Sequence, residues 1–112
     1  MCIFCDIIAG KIPGEIIYRN EWVAAFRDIN PQAPTHILIV PLKHIASLDR
    51  LGPADQPLIA EMVAAANELA HREGIAEKGY RVAVNCGEWG GQVVPHLHLH
   101  LLGGRPLSGS IG

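Results

Sequence analysis

Three histidines at alternate positions near the end of the chain constrain the fold more than any other feature. The stretch PHLHLHLLGG, residues 95–104, places leucines between His96, His98 and His100. Alternation of period two predicts a strand with the imidazoles on one face and the leucines on the other. Residues 94–102 are therefore predicted to form a strand that buries its leucines and gathers its histidines for chemistry.

The rest of the chain predicts a fold dominated by strands, with one main helix. An apolar stripe with helical spacing begins near Pro53 and ends at Gly74. Its predicted buried residues are Leu58, Met62, Ala65, Ala66, Leu69 and Ala70. Further strands are predicted over 15–19, 22–28, 36–40 and 80–85, with a short helix over 3–9. This order predicts one α+β domain over residues 1–112, built on an antiparallel meander of about five strands.

The composition excludes several classes of protein. Of 112 residues, 49% are hydrophobic and 18% are charged, and the formal net charge of −2 gives no electrostatic footprint for a nucleic acid polymer. No apolar run approaches the roughly 20 residues of a membrane span. Three cysteines, an odd number, argue against a disulfide scaffold. Because MCIFCDIIAG is also a poor signal peptide, a cytoplasmic protein without a membrane partner is expected.

Strand geometry argues against one metal ion bound by all three histidines. The α-carbons of the outer two are about 13 Å apart on a strand, whereas zinc ligand atoms lie within about 2.1–2.3 Å of the metal. At least one imidazole is left for another task, and a neutral imidazole with one nitrogen held as N–H is a nucleophile at the other. Gly87, Gly90 and Gly91 precede the histidines and offer backbone N–H groups to an anionic oxygen. Together these features predict attack on phosphorus.

The histidine segment forms a set with residues further upstream: Asn85, GQVVPHLHLHLL over 91–102, FRDINPQAPTH over 26–36 and PLKH over 41–44. This set resembles the histidine triad (HIT) family of nucleotide hydrolases and transferases. The run LLGGR over 101–105 is similar to the branch of histidine triad nucleotide-binding proteins that act as purine nucleoside phosphoramidases. The resemblance implies a HIT-like fold in which two chains form a homodimer with a continuous sheet.

The resemblance also implies a reaction and a role for each site residue. The enzyme would cleave the P–N bond of purine nucleoside 5′-phosphoramidates through a nucleotidyl-histidine intermediate, with no metal needed for the chemistry. His98 would attack, His100 would bind the phosphate and His36 would complete the proton network. The implied nucleotide-binding residues are Phe4, Ile7, Phe26, Asp28, Ile29, Asn85, Gly91, Val93 and Val94. From pattern alone, the four apolar residues before position 30 are core residues and Asp28 is equally a turn residue.

Two cysteines at the start of the chain predict a metal site. Cys2 and Cys5 form a C-x-x-C pair, whose spacing suits a tetrahedral zinc site that needs two more ligands. Related proteins with this pair imply that His44 and His96 complete the set. Such a closed structural site would pin the N-terminal segment to the sheet. The alternative is a pair of small buried thiols without metal.

Two departures from the family pattern leave the substrate open. Position 93 is valine where the phosphoramidase branch often has serine, and residues 106–112 contain no tryptophan of the kind that shapes the site in some relatives. Neither the leaving group nor a choice between adenosine and guanosine follows from the sequence. A dinucleoside polyphosphate hydrolase is the nearest alternative, although the proline-containing turn of that branch is absent. A zinc- and nucleotide-binding interaction protein with little turnover is the alternative from another class.

Overall fold

One antiparallel sheet and two helices make up the fold in a computed structural model that describes residues 2–112. The five strands are β1 (Ile16–Arg19), β2 (Val23–Arg27), β3 (Thr35–Pro41), β4 (Arg81–Ala83) and β5 (Leu99–Gly103). The helices are α1 (Ile3–Ile8) and α2 (Gln56–Arg72), and two short 3-10 turns precede α2 at Leu48–Arg50 and Pro53–Asp55. The predicted α+β class, the five strands and both helices are confirmed.

The order of the strands departs from a simple meander at one place. The sheet order is β1-β2-β3-β5-β4, so the last strand lies between the third and the fourth. β5 pairs with β3 on one side, from Thr35↔Gly103 to Ile39↔Leu99, and with β4 on the other. As a result, β4 is an edge strand and the strand that carries His100 lies inside the sheet.

Helix α2 covers one face of the sheet with the stripe that its sequence predicts. Its six buried residues are the six expected from helical spacing: Leu58, Met62, Ala65, Ala66, Leu69 and Ala70. The regular helix begins at Gln56 rather than at Pro53, because residues 53–55 form a 3-10 turn. Gly74 follows the helix with a φ of 72°, a conformation that favours glycine at a helix end. No helix within residues 2–112 is long and apolar enough to cross a membrane.

The predicted histidine strand is shorter than expected. β5 begins at Leu99, so His100 is the one member of the triad in a regular strand. Before it, the backbone bonds to loops instead of a strand ladder, since the N–H of Leu97 donates to the carbonyl of Ile45 over 2.7 Å. The prediction of one strand over residues 94–102 is therefore wrong for its first half.

The alternation of faces nevertheless holds through the whole segment. The three leucines at 97, 99 and 101 pack in the core cluster beneath α2. His96 and His98 face the other way, and both rings contact the ring of Phe4 edge-on. An extended backbone alternates its side chains whether or not it is paired in a sheet, so the imidazoles still share one side.

The second face of the sheet is half covered. Over β1 to β3, Phe4 of α1 packs in a small core cluster with Ala24, Phe26, Leu38 and Val40. Over β5 and β4, polar side chains project from the same face: His36 pairs in register with Leu102 and Leu102 with Arg81. The histidine group therefore lies at the boundary between a covered and an open half of one sheet face.

Candidate functional site

His98 presents one ring nitrogen with a free lone pair, because a backbone carbonyl holds the proton on the other. Its Nδ1 lies 2.7 Å from the carbonyl oxygen of His96. A carbonyl oxygen accepts only, so Nδ1 carries the proton and donates it, and the lone pair is on Nε2. The residue is 6% exposed and packs between Phe4 and His100, with ring centroids 5.2 Å and 4.9 Å away. The hydrogen bond fixes the tautomer of the ring, and this packing fixes its orientation.

A second chain of hydrogen bonds places the protons of His36 and His100. The backbone N–H of Gln32 donates to Nδ1 of His36 over 3.0 Å, so the proton of the neutral ring is on Nε2. That Nε2 lies 2.9 Å from Nδ1 of His100 and 3.5 Å from a carboxylate oxygen of Asp28. His100 therefore accepts at Nδ1 and keeps its own proton on Nε2, where it can donate to a ligand.

Burial keeps these two rings uncharged. Loss of hydration lowers the pKa of His36, and the nearby carboxylate of Asp28 opposes that shift only in part. Burial, together with repulsion from His98 and His36, lowers the pKa of His100 to about 4. At neutral pH His100 is therefore a hydrogen-bond donor rather than a cation.

The four predicted zinc ligands converge on one point at the start of α1. The ligand atoms of Cys2, Cys5, His44 and His96 all lie within 4.8 Å of one another. Nδ1 of His96 lies 3.2 Å from Sγ of Cys2, and Nδ1 of His44 lies 3.3 Å from Sγ of Cys5. Two thiols and two imidazole nitrogens are a donor set that zinc prefers, so these residues fit the ion.

The surroundings of the cluster also suit a metal. Nε2–H of His96 donates to the carbonyl oxygen of Pro41 over 3.0 Å, which leaves Nδ1 as the lone-pair nitrogen that faces the thiols. Burial lowers the pKa of His96, so its ring is neutral as a ligand must be. Burial and the adjacent Cys2 raise the pKa of the Cys5 thiol. A bound cation would favour its thiolate form.

His96 links the cysteine cluster to His98. Its ring lies in the cysteine cluster, while its backbone carbonyl accepts the hydrogen bond from Nδ1–H of His98 that fixes the tautomer of that ring. The expectation that three alternating histidines cannot serve one ion agrees with this division, since His98 and His100 lie outside the cluster. Along the chain, Leu97 alone separates His96, in the candidate metal site, from His98, the candidate nucleophile.

Comparison with known proteins settles the family. A sequence model described as the HIT domain matches residues 9–107. The chain belongs to the HIT family. It is 49% identical over 105 residues to the purine nucleoside phosphoramidase of Escherichia coli K12, which covers 94% of this chain and 88% of that protein.

Solved structures of other HIT proteins share the fold. A HIT family hydrolase from Legionella pneumophila Philadelphia 1 matches with a TM-score of 0.96 and 46% identity over all of both chains. A zinc-bound histidine triad family protein from Mycobacterium smegmatis matches with a TM-score of 0.82 and 31% identity, over 93% of this chain and 75% of that one. The family resemblance and the HIT-like fold expected from the sequence are confirmed.

The apolar residues expected around a base differ widely in exposure in this HIT domain. Phe4 and Phe26 are buried with ring centroids 5.2 Å apart, and Ile7 packs half-buried against the same cluster. Ile29, in contrast, is 90% exposed. The interpretation of all four as core residues is therefore wrong for Ile29, because the chain leaves the sheet at Asp28 and carries the next side chain into solvent.

Asp28 combines a turn role with a contact to the histidines. One carboxylate oxygen accepts the backbone N–H of Asn30 over 2.8 Å, which is the turn interaction that the sequence allows. The other oxygen faces His36. Its binding of a ribose stays a prediction.

The glycine-rich loop of the HIT domain is held by the side chain of Asn85. Its Nδ2 donates to the carbonyl oxygen of Gly90 over 2.7 Å. A Cβ at Gly90 would lie 2.2 Å from the carbonyl oxygen of Cys86, and Gly91 has a φ of 83°. Both glycines are thus required by the backbone. One amide hydrogen of Asn85 is used in this bond to the loop. The predicted contact with a ligand would therefore use the other amide hydrogen or the amide oxygen.

Gln92 is a positioning residue to which sequence reasoning assigned no role. Its Oε1 accepts the N–H of Gly87 over 2.9 Å, and its Nε2 donates to the carbonyl oxygens of Ala46 and Val94. Val93 beside it is 89% exposed, so the side chain at this position is open to a ligand. Its place in the matched segment GQVVPHLHLHLL, shortly before the histidines, is the sequence signal that could have identified Gln92.

The lowered histidine pKa values predict that stability falls between pH 7 and pH 5. A histidine with a lower pKa in the folded state is protonated first in the unfolded chain, so each step below about pH 6.5 favours unfolding. We expect His100→Asn to make this dependence shallower, whereas His71→Asn, on the exposed side of α2, leaves it unchanged. Urea unfolding of metal-free protein at pH 7, 6 and 5 measures the slopes. Equal slopes in all three proteins would contradict the prediction.

Proposed function

We propose that this HIT protein hydrolyses the P–N bond of purine nucleoside 5′-phosphoramidates and releases a nucleoside monophosphate and an amine. The observation that carries the proposal is the hydrogen bond from Nδ1–H of His98 to the carbonyl of His96, which leaves Nε2 free to attack. A neutral donor, His100, lies beside it. The E. coli relative, named a purine nucleoside phosphoramidase, supports the choice of substrate class.

Two displacements at phosphorus account for the reaction. In the first, Nε2 of His98 forms a bond to the α-phosphorus while the bond to the leaving nitrogen breaks, and that nitrogen takes up a proton from solvent and departs as an amine. In the second, water attacks the phosphorus and gives up a proton to solvent, the bond to His98 breaks and the monophosphate leaves. One water molecule is consumed, and His98 recovers its lone pair.

The uncharged N–H donors around His98 would stabilise the negative charge that develops on the phosphate oxygens. Nε2–H of His100 is the free donor at the end of the chain Gln32, His36, His100, in which each member fixes the proton of the next. Donors that are already oriented stabilise a transition state without reorganisation. The backbone of Gly91, Val93 and Val94 would add further contacts to the phosphate.

The nucleoside would lie on the covered side of the histidine group. The exposed side chain of Ile29 and the half-buried Ile7 would hold the base above Phe4 and Phe26, and Asp28 would accept a ribose hydroxyl. Apolar enclosure distinguishes purines from each other only weakly. We therefore propose a purine nucleoside in the substrate without choosing between adenosine and guanosine.

Two further proposals concern assembly. Zinc held by Cys2, Cys5, His44 and His96 would be structural, since four protein ligands leave no position for substrate. Homodimerisation would use the edge strand β4 and helix α2, where Val82 and Val63 are each 41% exposed. Light scattering of the purified chain gives its mass, and a monomer would exclude the second proposal.

Steady-state hydrolysis of adenosine 5′-phosphoramidate, measured beside diadenosine triphosphate, tests the function. We expect kcat/KM to favour the phosphoramidate by at least about tenfold, which corresponds to about 1.4 kcal/mol in transition-state binding. A preference for the dinucleotide would assign the chain to the polyphosphate hydrolases. Turnover of neither, with AMP still bound in calorimetry, would make it a binding protein.

A further inference from the structure

A cleft of about 360 Å³ opens on the uncovered half of the sheet, next to His100. It starts at the histidine chain, runs along β4 and is closed by the segment that follows β5. Its polar lining residues are Gln32, His36, Arg81, Asn85, His100, Arg105 and Ser108. The histidines occupy one end, and the two arginines were not among the residues expected from the sequence to form the site.

The two arginines make the cleft cationic. Arg81 donates to the carbonyl oxygen of Ser108. Arg105 donates to the carbonyl oxygens of Gln32 and Pro106, over 2.8 Å and 2.9 Å. All three acceptors are uncharged, and within residues 2–112 neither guanidinium forms a salt bridge. The cleft has no acidic side chain among the described residues that line it, so nothing there balances the two positive charges.

The contacts with carbonyl oxygens orient both guanidinium groups and leave most of their N–H donors available to a ligand. Each guanidinium has five N–H donors, and the carbonyl contacts use one in Arg81 and two in Arg105. A second hollow of about 210 Å³ lies against the same two side chains and reaches Lys78. Elsewhere, Arg27 pairs with Glu73 and Arg72 with Glu68, whereas Arg19 and Arg50 form no salt bridge within residues 2–112, so what distinguishes Arg81 and Arg105 is that both line one cleft.

We propose that Arg81 and Arg105 form a subsite for an anionic group, a carboxylate or a phosphate, on the leaving group of the substrate. The proposal rests on the proposed function and narrows it. His100 lines the inner end of the cleft and its ring centroid lies 4.9 Å from that of His98, so a leaving group bound beside His98 would lie next to this cleft. Guanidinium forks pair with carboxylate and phosphate through two parallel hydrogen bonds. The preferred substrates are then phosphoramidates of amines that carry negative charge.

Matched substrates isolate this charge. The adenosine 5′-phosphoramidates of glycine and of glycinamide differ by one carboxylate, and those of 2-aminoethyl phosphate and ethanolamine differ by one phosphate. We expect wild-type kcat/KM to favour the charged member of at least one pair by about tenfold or more, a typical effect of a charge-assisted hydrogen bond. The double variant Arg81→Gln, Arg105→Gln should bring that ratio close to one. Arg72→Gln, on the opposite face of the sheet, should keep the wild-type ratio.

The outcomes separate the subsite from the function on which it rests. Which pair shows the preference identifies the anion as carboxylate or phosphate. Wild-type ratios near one in both pairs, with both members hydrolysed, would overturn the subsite and leave P–N hydrolysis standing. If no compound is hydrolysed, the proposed function fails. Calorimetric affinities of the same pairs for the His98→Ala protein, with and without the arginine substitutions, then decide the subsite without turnover.

Discussion

We expect His98→Ala to lower kcat for adenosine 5′-phosphoramidate by at least about 10³-fold, because loss of the proposed nucleophile removes the covalent route. The Nδ1–H of His98 is bound to a carbonyl, so Nε2 is the nitrogen that forms the bond to phosphorus. Affinity for AMP should change by less than about tenfold, because Asp28, His36 and His100 remain in place. Single-turnover kinetics and calorimetry measure the two effects separately.

His71→Ala is the matched control for this prediction. It removes an imidazole from the exposed side of α2, where Nδ1–H donates to the carbonyl of Asn67, and should leave kcat unchanged. A nucleotide label that stays on wild-type protein after rapid denaturation and is lost in acid should be absent from His98→Ala. Persistence of that label, or retention of more than about a tenth of the activity, would rule out His98 as the nucleophile. His98→Gln serves if circular dichroism shows that the alanine variant is unfolded.

We expect removal of both N-terminal thiols to abolish zinc binding and to destabilise the fold. Wild-type protein purified without chelator should hold close to one zinc per chain, and Cys2→Ser with Cys5→Ser should hold almost none. A ligand at about 100 times its Kd stabilises the folded state by roughly 2.7 kcal/mol, so we expect Tm to fall by about 10 °C or more. Metal analysis and thermal unfolding, with and without chelator, measure both quantities.

Cys86→Ser distinguishes a metal effect from a general effect of cysteine loss. Cys86 lies outside the four-ligand cluster, so its substitution should change neither the zinc content nor the response to chelator. Cobalt(II) in place of zinc should give the absorption of a tetrahedral thiolate site in wild type and in Cys86→Ser. Less than about half an equivalent of zinc in wild-type protein, with no effect of chelator on Tm, would show that the cysteines are ordinary thiols.

Local periodicity predicted the elements that pack against a single neighbour. The buried face of α2 follows from spacing alone, because a helix that packs on a sheet must place its apolar residues on one side. The first three strands were predicted to within one or two residues, as each is short and apolar and is bounded by turns. The strand expected over 80–85 is only three residues long, since β5 pairs with one side of it and no strand within residues 2–112 pairs with the other.

The candidate site was predictable to the extent that its residues share a motif. The alternation of residues 96–101 and the C-x-x-C pair indicated two sets of side chains. The resemblance to HIT proteins added His36, His44 and Asp28 from distant segments. Gln92 and Arg105 lie within matched segments, but no motif assigned a role to either of them or to Arg81. Each acquires its role only from backbone carbonyls or a cleft that other parts of the chain provide.

By itself, the sequence determined the class of fold, the faces of its helix and of its histidine segment, and the kinds of chemistry that the side chains allow. These depend on neighbours a few residues apart, whose relative positions follow from the repeat of a helix or a strand. Only the tertiary structure decided which ring nitrogen of His100 carries the proton and where uncompensated charge lies. Those properties depend on contacts between segments tens of residues apart, and the insertion of β5 between β3 and β4 creates the central ones.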